Sequence, residues 1–205
     1  MAADREVRFE ISGPTAMWTR PDTGAAPISY LAPTYSAAKG MFESILRLRS
    51  VVIRPLKVEI CSPLVYHTYT TNYRGPLRKS KLLSSGDAYQ LMATVLIDVR
   101  YRLYAMAEAI PKNRVTTNDS HAYHDIFFKR LKRGQCHDVP CLGWREFSPS
   151  YVGEFCPLTR VQEEIDDLTV PSMLHTVWDA ASDGRYRPVF HSNVRVKKGC
   201  LSYVE

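Results

Sequence analysis

The sequence has no run approaching the ~18 apolar residues that a membrane-spanning helix needs. Its first residues, Asp4, Arg5 and Glu6 ahead of a short apolar alternation, lack the apolar stretch of a secretory signal. A cytoplasmic protein with no membrane anchor and no membrane partner is therefore expected. Cysteine is sparse and odd in number: Cys61, Cys136, Cys141, Cys156 and Cys200 are irregularly spaced and include no C-x-x-C pair. A disulfide framework and a zinc knuckle both fall away, and no metal or other cofactor is expected. There is no G-x-S-x-G and no glycine-rich phosphate loop after a strand, which removes hydrolase triads and dinucleotide sites. Asp119, Asp125, Asp138 and Glu146 are scattered among cations, so a two-metal nuclease has too few free carboxylates. Internal repeats and low-complexity tracts are missing as well.

What is present is a 205-residue chain with 45% apolar residues, enough for one generous domain or a domain with an appended subdomain. The net charge of +6 is unevenly spread. Residues 1–50 carry six cations and five anions, residues 51–149 fifteen and eight, and residues 150–205 six and eight. An excess confined to the middle of the chain points to a polyanionic partner, nucleic acid first of all.

The periodicities predict an α+β fold. Val7, Phe9 and Ile11 alternate against Arg8, Glu10 and Ser12, the pattern of a half-buried strand. Pro33-Thr34 then opens a helix whose Tyr35, Ala38, Met41, Phe42, Ile45 and Leu48 share one face. Gly40 inside it is expected to mark close approach of another backbone. A second strand is expected around Arg54 to Cys61. A third has apolar residues at every odd position from Leu91 to Ala105, leaving Asp98, Arg100, Arg102 and Tyr104 on a polar face able to meet a ligand. Asp119-Ser120 caps a helix from about His121 to Arg133 with Gly134 past its end, and a fourth strand is expected over Leu142 to Ser148. Strand, helix, strand, strand, helix, strand is the ferredoxin-like (RRM-like) βαββαβ order. The expected organisation is a ferredoxin-like RNA-binding domain over 1–149, with a long basic linker or thumb over about 62–88, and a small antiparallel β appendage over 150–205. In the appendage, strands are expected at Met173 to Trp178, Val189 to Val196 and Leu201 to Val204.

Two stretches carry RNA-binding chemistry. In the linker, Tyr66, Tyr69 and Tyr73 interleave with His67, Arg74, Arg78, Lys79 and Lys81, rings for bases and cations for phosphates. The alternative is a solvated loop whose tyrosines cover the end of the core. The second stretch, Lys129-Arg130-Leu131-Lys132-Arg133-Gly134-Gln135-Cys136, places four cations ahead of a turn expected to expose backbone N–H groups. Cations at a helix C-terminus also complement the macrodipole.

That second stretch and its continuation, Pro140-Cys141-Leu142-Gly143-Trp144-Arg145-Glu146-Phe147, resemble the G-Q-C, P-x-L-G and R-E-F block of the fifth CRISPR-associated protein family, in its type I-C branch. The resemblance extends to Val7 through Gly13, Pro33-Thr34, Ala38-Lys39-Gly40 and Glu43-Ser44-Ile45. It implies a subunit of a Cascade surveillance complex that holds the 5′ handle of the crRNA. Its partners would be the backbone and large subunits, and target DNA through the complex. It also implies a thumb, in the region of the basic linker, that inserts into the guide RNA. The RNA-contact candidates are Lys39, Arg74, Arg78, Lys79, Arg100, Arg102, Lys129, Lys132, Arg133 and Arg145.

Members of this branch resemble one another in cutting precursor RNA without metal, through a Tyr, a Lys and a His. Those positions fall here on Leu46, Ala122 and Tyr123, so none of the three is carried over. His121, Tyr123 and His124 are the substitute catalytic candidates, a histidine pair flanking a tyrosine as acid and base. Two alternatives stand beside an endoribonuclease: a purely structural handle-binding subunit, and an unrelated RRM-like RNA-binding module.

Overall fold

The computed structural model describes residues 5–73, 89–110, 119–178 and 185–203. Thr34 accepts a hydrogen bond from the Ala37 amide at 3.2 Å, and this cap starts α1, Tyr35–Ile45. A second helix, α2, spans Asp119–Lys132. The strands are β1 (Arg5–Ala16), β2 (Val51–Ile60), β3 (Val65–Tyr73), β4 (Tyr89–Ala109), β5 (Tyr151–Gly153), β6 (Leu168–Thr176), β7 (Val189–Lys197) and β8 (Cys200–Ser202). They form one eight-stranded sheet in the order β5-β1-β4-β2-β8-β7-β6, with β3 pairing to β4 off that path. Every strand pairing is antiparallel. The chain is thus an α+β protein, with two α-helices among the described residues on one mostly antiparallel sheet.

β4 is the spine. Its 21 residues pair with β1 along one edge and with β3 and then β2 along the other. The predicted linker between the second and third strands is therefore in part a strand: Val65–Tyr73 pairs in register with Tyr89–Ile97, as a β-rich stretch of Val, Tyr and Thr favours. Asp98, at φ 52°, interrupts the alternation where β4 passes from one partner to the other. The Ser62 hydroxyl then accepts from the Arg100 amide at 2.9 Å.

The core lies between sheet and helices. Ala38, Met41, Phe42 and Ile45 of α1 and Tyr123, Phe127 and Leu131 of α2 are buried against Val7, Phe9 and Ile11 of β1 and the odd positions of β4. Phe9 meets Phe42 edge-on at 4.8 Å between centroids. Removing a ring here would cost about 3–5 kcal/mol.

Three sequence expectations need correction. The fourth strand does not form over Leu142 to Ser148. Leu142 donates to the Phe147 carbonyl at 2.8 Å and Trp144 stacks on Phe147, closing a turn whose apolar residues plug the core, and the strand beside β1 is the short β5. Gly40 is exposed with open space where a Cβ would stand, so it widens a groove rather than admitting a backbone. The close approach occurs at Gly143, at φ 95°, where a Cβ would overlap the Met17 carbonyl. Finally, β1 is covered on both faces along its middle, with Glu10 fully buried.

The C-terminal strands appear near their expected places and continue the sheet from β2 through β8. Among the described residues, no helix is long and apolar enough to cross a membrane.

Candidate nucleic-acid interface

The polar face of β4 is occupied by the chain itself. Glu10, opposite Arg102 across the β1–β4 ladder, accepts from Arg100 at 2.6 Å, Arg102 at 3.2 Å, the Thr159 hydroxyl at 2.8 Å and the Cys156 amide at 3.1 Å. Burial raises the Glu10 carboxyl, but the bonds from Thr159, Arg100, Cys156 and Arg102 outweigh it and hold the group below its ordinary value. Arg102 also donates to the Cys156 and Thr159 carbonyls and lies 4.7 Å from the Phe155 ring. The same ring packs on Tyr104, whose hydroxyl donates to Glu59. The sheet face expected to meet a ligand is roofed by residues 154–160. Arg100 and Arg102 serve a buried carboxylate because a fully desolvated Glu needs compensating donors.

The other basic stretch is disposed differently. α2 ends with Gly134, at φ 62°, where the Gly134 amide donates to the Leu131 carbonyl and the Gln135 amide to the Arg130 carbonyl. The turn then folds over the end of α1: the His137 and Asp138 amides both donate to Ser44, and Arg130 donates to the Ile45 carbonyl at 3.1 Å. These backbone N–H groups cap a helix end, contrary to the expectation that they are open to phosphate. What the turn does expose is side-chain charge. Lys129, Lys132, Arg133 and Arg145 are all exposed. Lys132 has only a loose pairing with Glu154, 3.8 Å apart with both side chains more than half exposed, and no ion pair to a described carboxylate engages Lys129, Arg133 or Arg145.

Between α1 and this turn lies a groove of about 410 Å³ lined by Gly40, Met41, Ser44, Pro140, Gly143 and Arg145 among others. Its floor is the buried Trp18. Gly40 and residues of the Pro140 to Arg145 block, both within segments that carry the sequence resemblance, line it together. A second, smaller cavity of about 240 Å³ lies at the far side of α1 among Lys39, Glu43, Leu46, Arg47, Arg49 and Tyr123. Lys39 pairs loosely with Glu43 there at 3.8 Å. Arg47 and Arg49 are exposed cations that the sequence reading missed, although their alternation directly after the helix was a visible signal.

The substitute catalytic trio is not brought together as a site. Tyr123 is 1% exposed, its hydroxyl donates to the Leu46 carbonyl at 2.9 Å, and burial pushes its ionisation far up. It is a core residue closing the space between α1 and α2. His124 turns to Asp125 at 3.1 Å and to the Phe128 ring. His121 meets the Arg5 guanidinium at 3.1–3.3 Å. In the linker, Tyr69 packs edge-on against Phe147, whereas Tyr66 is 46% exposed. Arg74, Arg78 and Lys79 lie outside the described residues.

An antiparallel sheet backed by two helices, with exposed cations at the end of α2, defines an α+β protein with one basic edge. The Cas5d model of the CRISPR-associated protein (Cas_Cas5) family matches residues 6–196. The chain belongs to the Cas5d family of CRISPR-associated proteins. It is 27% identical over 190 residues to the CRISPR pre-crRNA endoribonuclease Cas5d of Mannheimia succiniciproducens, covering 83% of this chain and 84% of that protein. It is 32% identical over 149 residues to the protein of the same name from Thermus thermophilus, covering 71% of this chain and 62% of the relative. Among solved structures, a CRISPR-associated protein superposes with a TM-score of 0.73 at 16% identity, over 100% of this chain and 95% of the other. A functionally uncharacterized protein from Streptococcus mutans gives 0.70 at 17% identity with the same coverage. Both share the fold.

Proposed function

We propose that this chain is the crRNA-binding subunit of a type I-C Cascade surveillance complex, and that it holds the 5′ handle of the guide along the groove between α1 and the turn after α2. The observation that carries the reading is the contrast in that turn: the Gly134, Gln135, His137 and Asp138 amides are spent, while Lys129, Lys132 and Arg133 stand exposed and Arg145 lines a groove of about 410 Å³. Such cations are worth most to a ligand that brings several phosphates at once. The sheet order β5-β1-β4-β2, with all neighbours antiparallel and a helix after β1 and after β4, supports a ferredoxin-like core. β3 and the start of β4 are its thumb. Because β5 pairs with β1, a boundary after Gly153 fits the pairing better than one at 149/150. Backbone and large subunits, and target DNA through the complex, are the partners this assignment brings. The test is a filter-binding titration with handle RNA. Alanine at Lys129, Lys132 and Arg133 together should weaken binding by at least 10-fold at moderate salt, and an unchanged affinity would end the proposal.

A second reading, that the chain also cuts precursor RNA, has its support in the relatives' name and in two half-exposed imidazoles. His121 and His124 sit one turn apart at the start of α2, with a guanidinium against the first. An imidazole can serve as general base or general acid toward a bound RNA. Tyr123 has no part in it, being sealed in the core. Incubating the protein with repeat RNA in EDTA decides the matter: cleavage lost in His124→Ala supports this site, and an intact substrate with the unaltered protein removes it.

A further inference from the structure

A different surface lies beyond the N-terminal end of α1. β6 pairs with β7 in register except between Leu174 and Thr176, where the ladder slips. His175 is the extra residue, and an extra residue in one strand re-aims its side chain. It is sandwiched: its ring stacks on Tyr35 at 4.0 Å and 26° and on His191 at 4.0 Å and 14°. The three rings form a column rooted in the core, since Tyr35 in turn meets the buried Tyr203 edge-on at 6.0 Å.

Beside the column is a pocket of about 510 Å³ lined by Tyr35, His175, His191, Phe190 and Tyr203, with Arg54 and Ser192 completing it. Five of the seven lining side chains are planar rings, and the other two are a guanidinium and a hydroxyl. Phe190 is 44% exposed. A large apolar ring held in water needs a reason, and a flat, π-faced ligand supplies one. Rings for stacking, one cation and one hydroxyl match a base linked to a sugar and a phosphate.

We propose that this ring-lined pocket binds an unstacked nucleotide of a single-stranded nucleic acid. The base stacks on the Phe190 and His191 side of the column, and Arg54, which holds Glu108 at 2.8 Å through one terminal nitrogen and is 55% exposed, offers the rest of its guanidinium to a flanking phosphate. The ring track goes on along the same hairpin. Trp178 and Tyr186, 67% and 72% exposed, face each other at 5.8 Å beyond His175 and Phe190. Choosing a polynucleotide over a free nucleotide rests in part on the preceding reading. The groove beside the basic turn follows α1 from Ser44 back to Ala37, two residues short of Tyr35. The 11-residue helix is about 16 Å long, so one strand can engage both ends.

The experiment uses the full chain and labelled oligo(A), as RNA and as DNA, neither containing a handle. Phe190→Ala and His191→Ala should each raise Kd on the order of 10-fold, the usual worth of a stacking ring, and His191→Trp should restore binding. A loss with both polymers means the pocket reads base and phosphate; a loss with RNA alone means it reads the ribose too. Photocrosslinking of a 4-thiouridine oligonucleotide to the unaltered protein should label residues of β7. Unchanged Kd with both polymers in Phe190→Ala, whose ring is too exposed to be needed for folding, overturns the proposal, as do crosslinks confined to residues 129–145. A Lys129/Lys132/Arg133 triple alanine variant is run alongside. If it retains full affinity while the ring variants lose theirs, the handle interface fails and this pocket stands; the reverse result sinks the pocket alone.

Discussion

Two clusters of arginine and lysine read alike in the sequence and do opposite work. Arg100 and Arg102 on β4 are turned onto Glu10 beneath the 154–160 segment, whereas Lys129, Lys132 and Arg133 at the end of α2 face outward with at most a loose partner. A cation on a sheet face can be roofed by any segment that crosses it, and a desolvated carboxylate gives such a segment its anchor. A cation in the last turn of a helix, pointing away from the sheet, has nothing to fold over it. The lesson is that charge marks a ligand surface only after the chain's own carboxylates have taken their share.

The sharpest way to break this comparison is Glu10→Ala, which leaves Arg100 and Arg102 partly buried without their anion. A loss of about 3 kcal/mol is expected, read as a fall of roughly 10 °C in Tm for a chain of this size. The unaltered protein should show the matching acid limb. Glu10 is held below its ordinary value of 4.5, so its contribution is fully present above that pH and drains away as pH falls through the lower, folded value. Glu10→Ala should flatten that limb in a pH series of thermal melts; an unaltered limb would mean the network is not where the acid sensitivity resides.

Next in size is the pair Arg102→Ala and Arg133→Ala, measured side by side. The first should lower Tm and leave the salt dependence of RNA binding alone. The second should leave Tm within error and reduce the slope of log K against log salt by about 0.7, the share of one phosphate contact on a single strand. Equal effects on the slope would erase the distinction between the clusters. The smallest expected effect is Tyr123→Phe, which removes the bond to Leu46 and should cost about 1 kcal/mol in denaturant melts. RNA binding and any cleavage should be untouched, and a selective loss of cleavage would return Tyr123 to the catalytic list.

Much of the scaffold was legible. The odd-position alternation of β4 and the Thr34 cap of α1 follow from a local period and a local hydrogen bond, and both are found, whereas Asp119 and Ser120, expected to cap α2, are its first described helical residues. The basic turn was legible as charge and as a resemblance to a family. What misled was the apolar spacing of Leu142, Trp144 and Phe147, which looks like a strand and is a plug closed on itself around Gly143. Gly40 misled for the same kind of reason: a glycine announces missing volume, and only the neighbours say whether that volume is filled by a backbone or left as a groove. The column of Tyr35, His175 and His191 could not have been read at all, since its members are 140 and 16 residues apart and meet through a slip in one ladder.

The sequence by itself determined both helices, the spine strand β4 with its core face, and the family, because periodicity and capping act within a few residues of chain. It also determined that the excess of positive charge lies between residues 51 and 149. Which of those charges remain available was decided by tertiary structure alone. A carboxylate on β1, a strand away from the arginines and some 150 residues from the segment that covers it, is desolvated only when the sheet has formed. Desolvation is a property of the assembled neighbourhood and not of any stretch of chain.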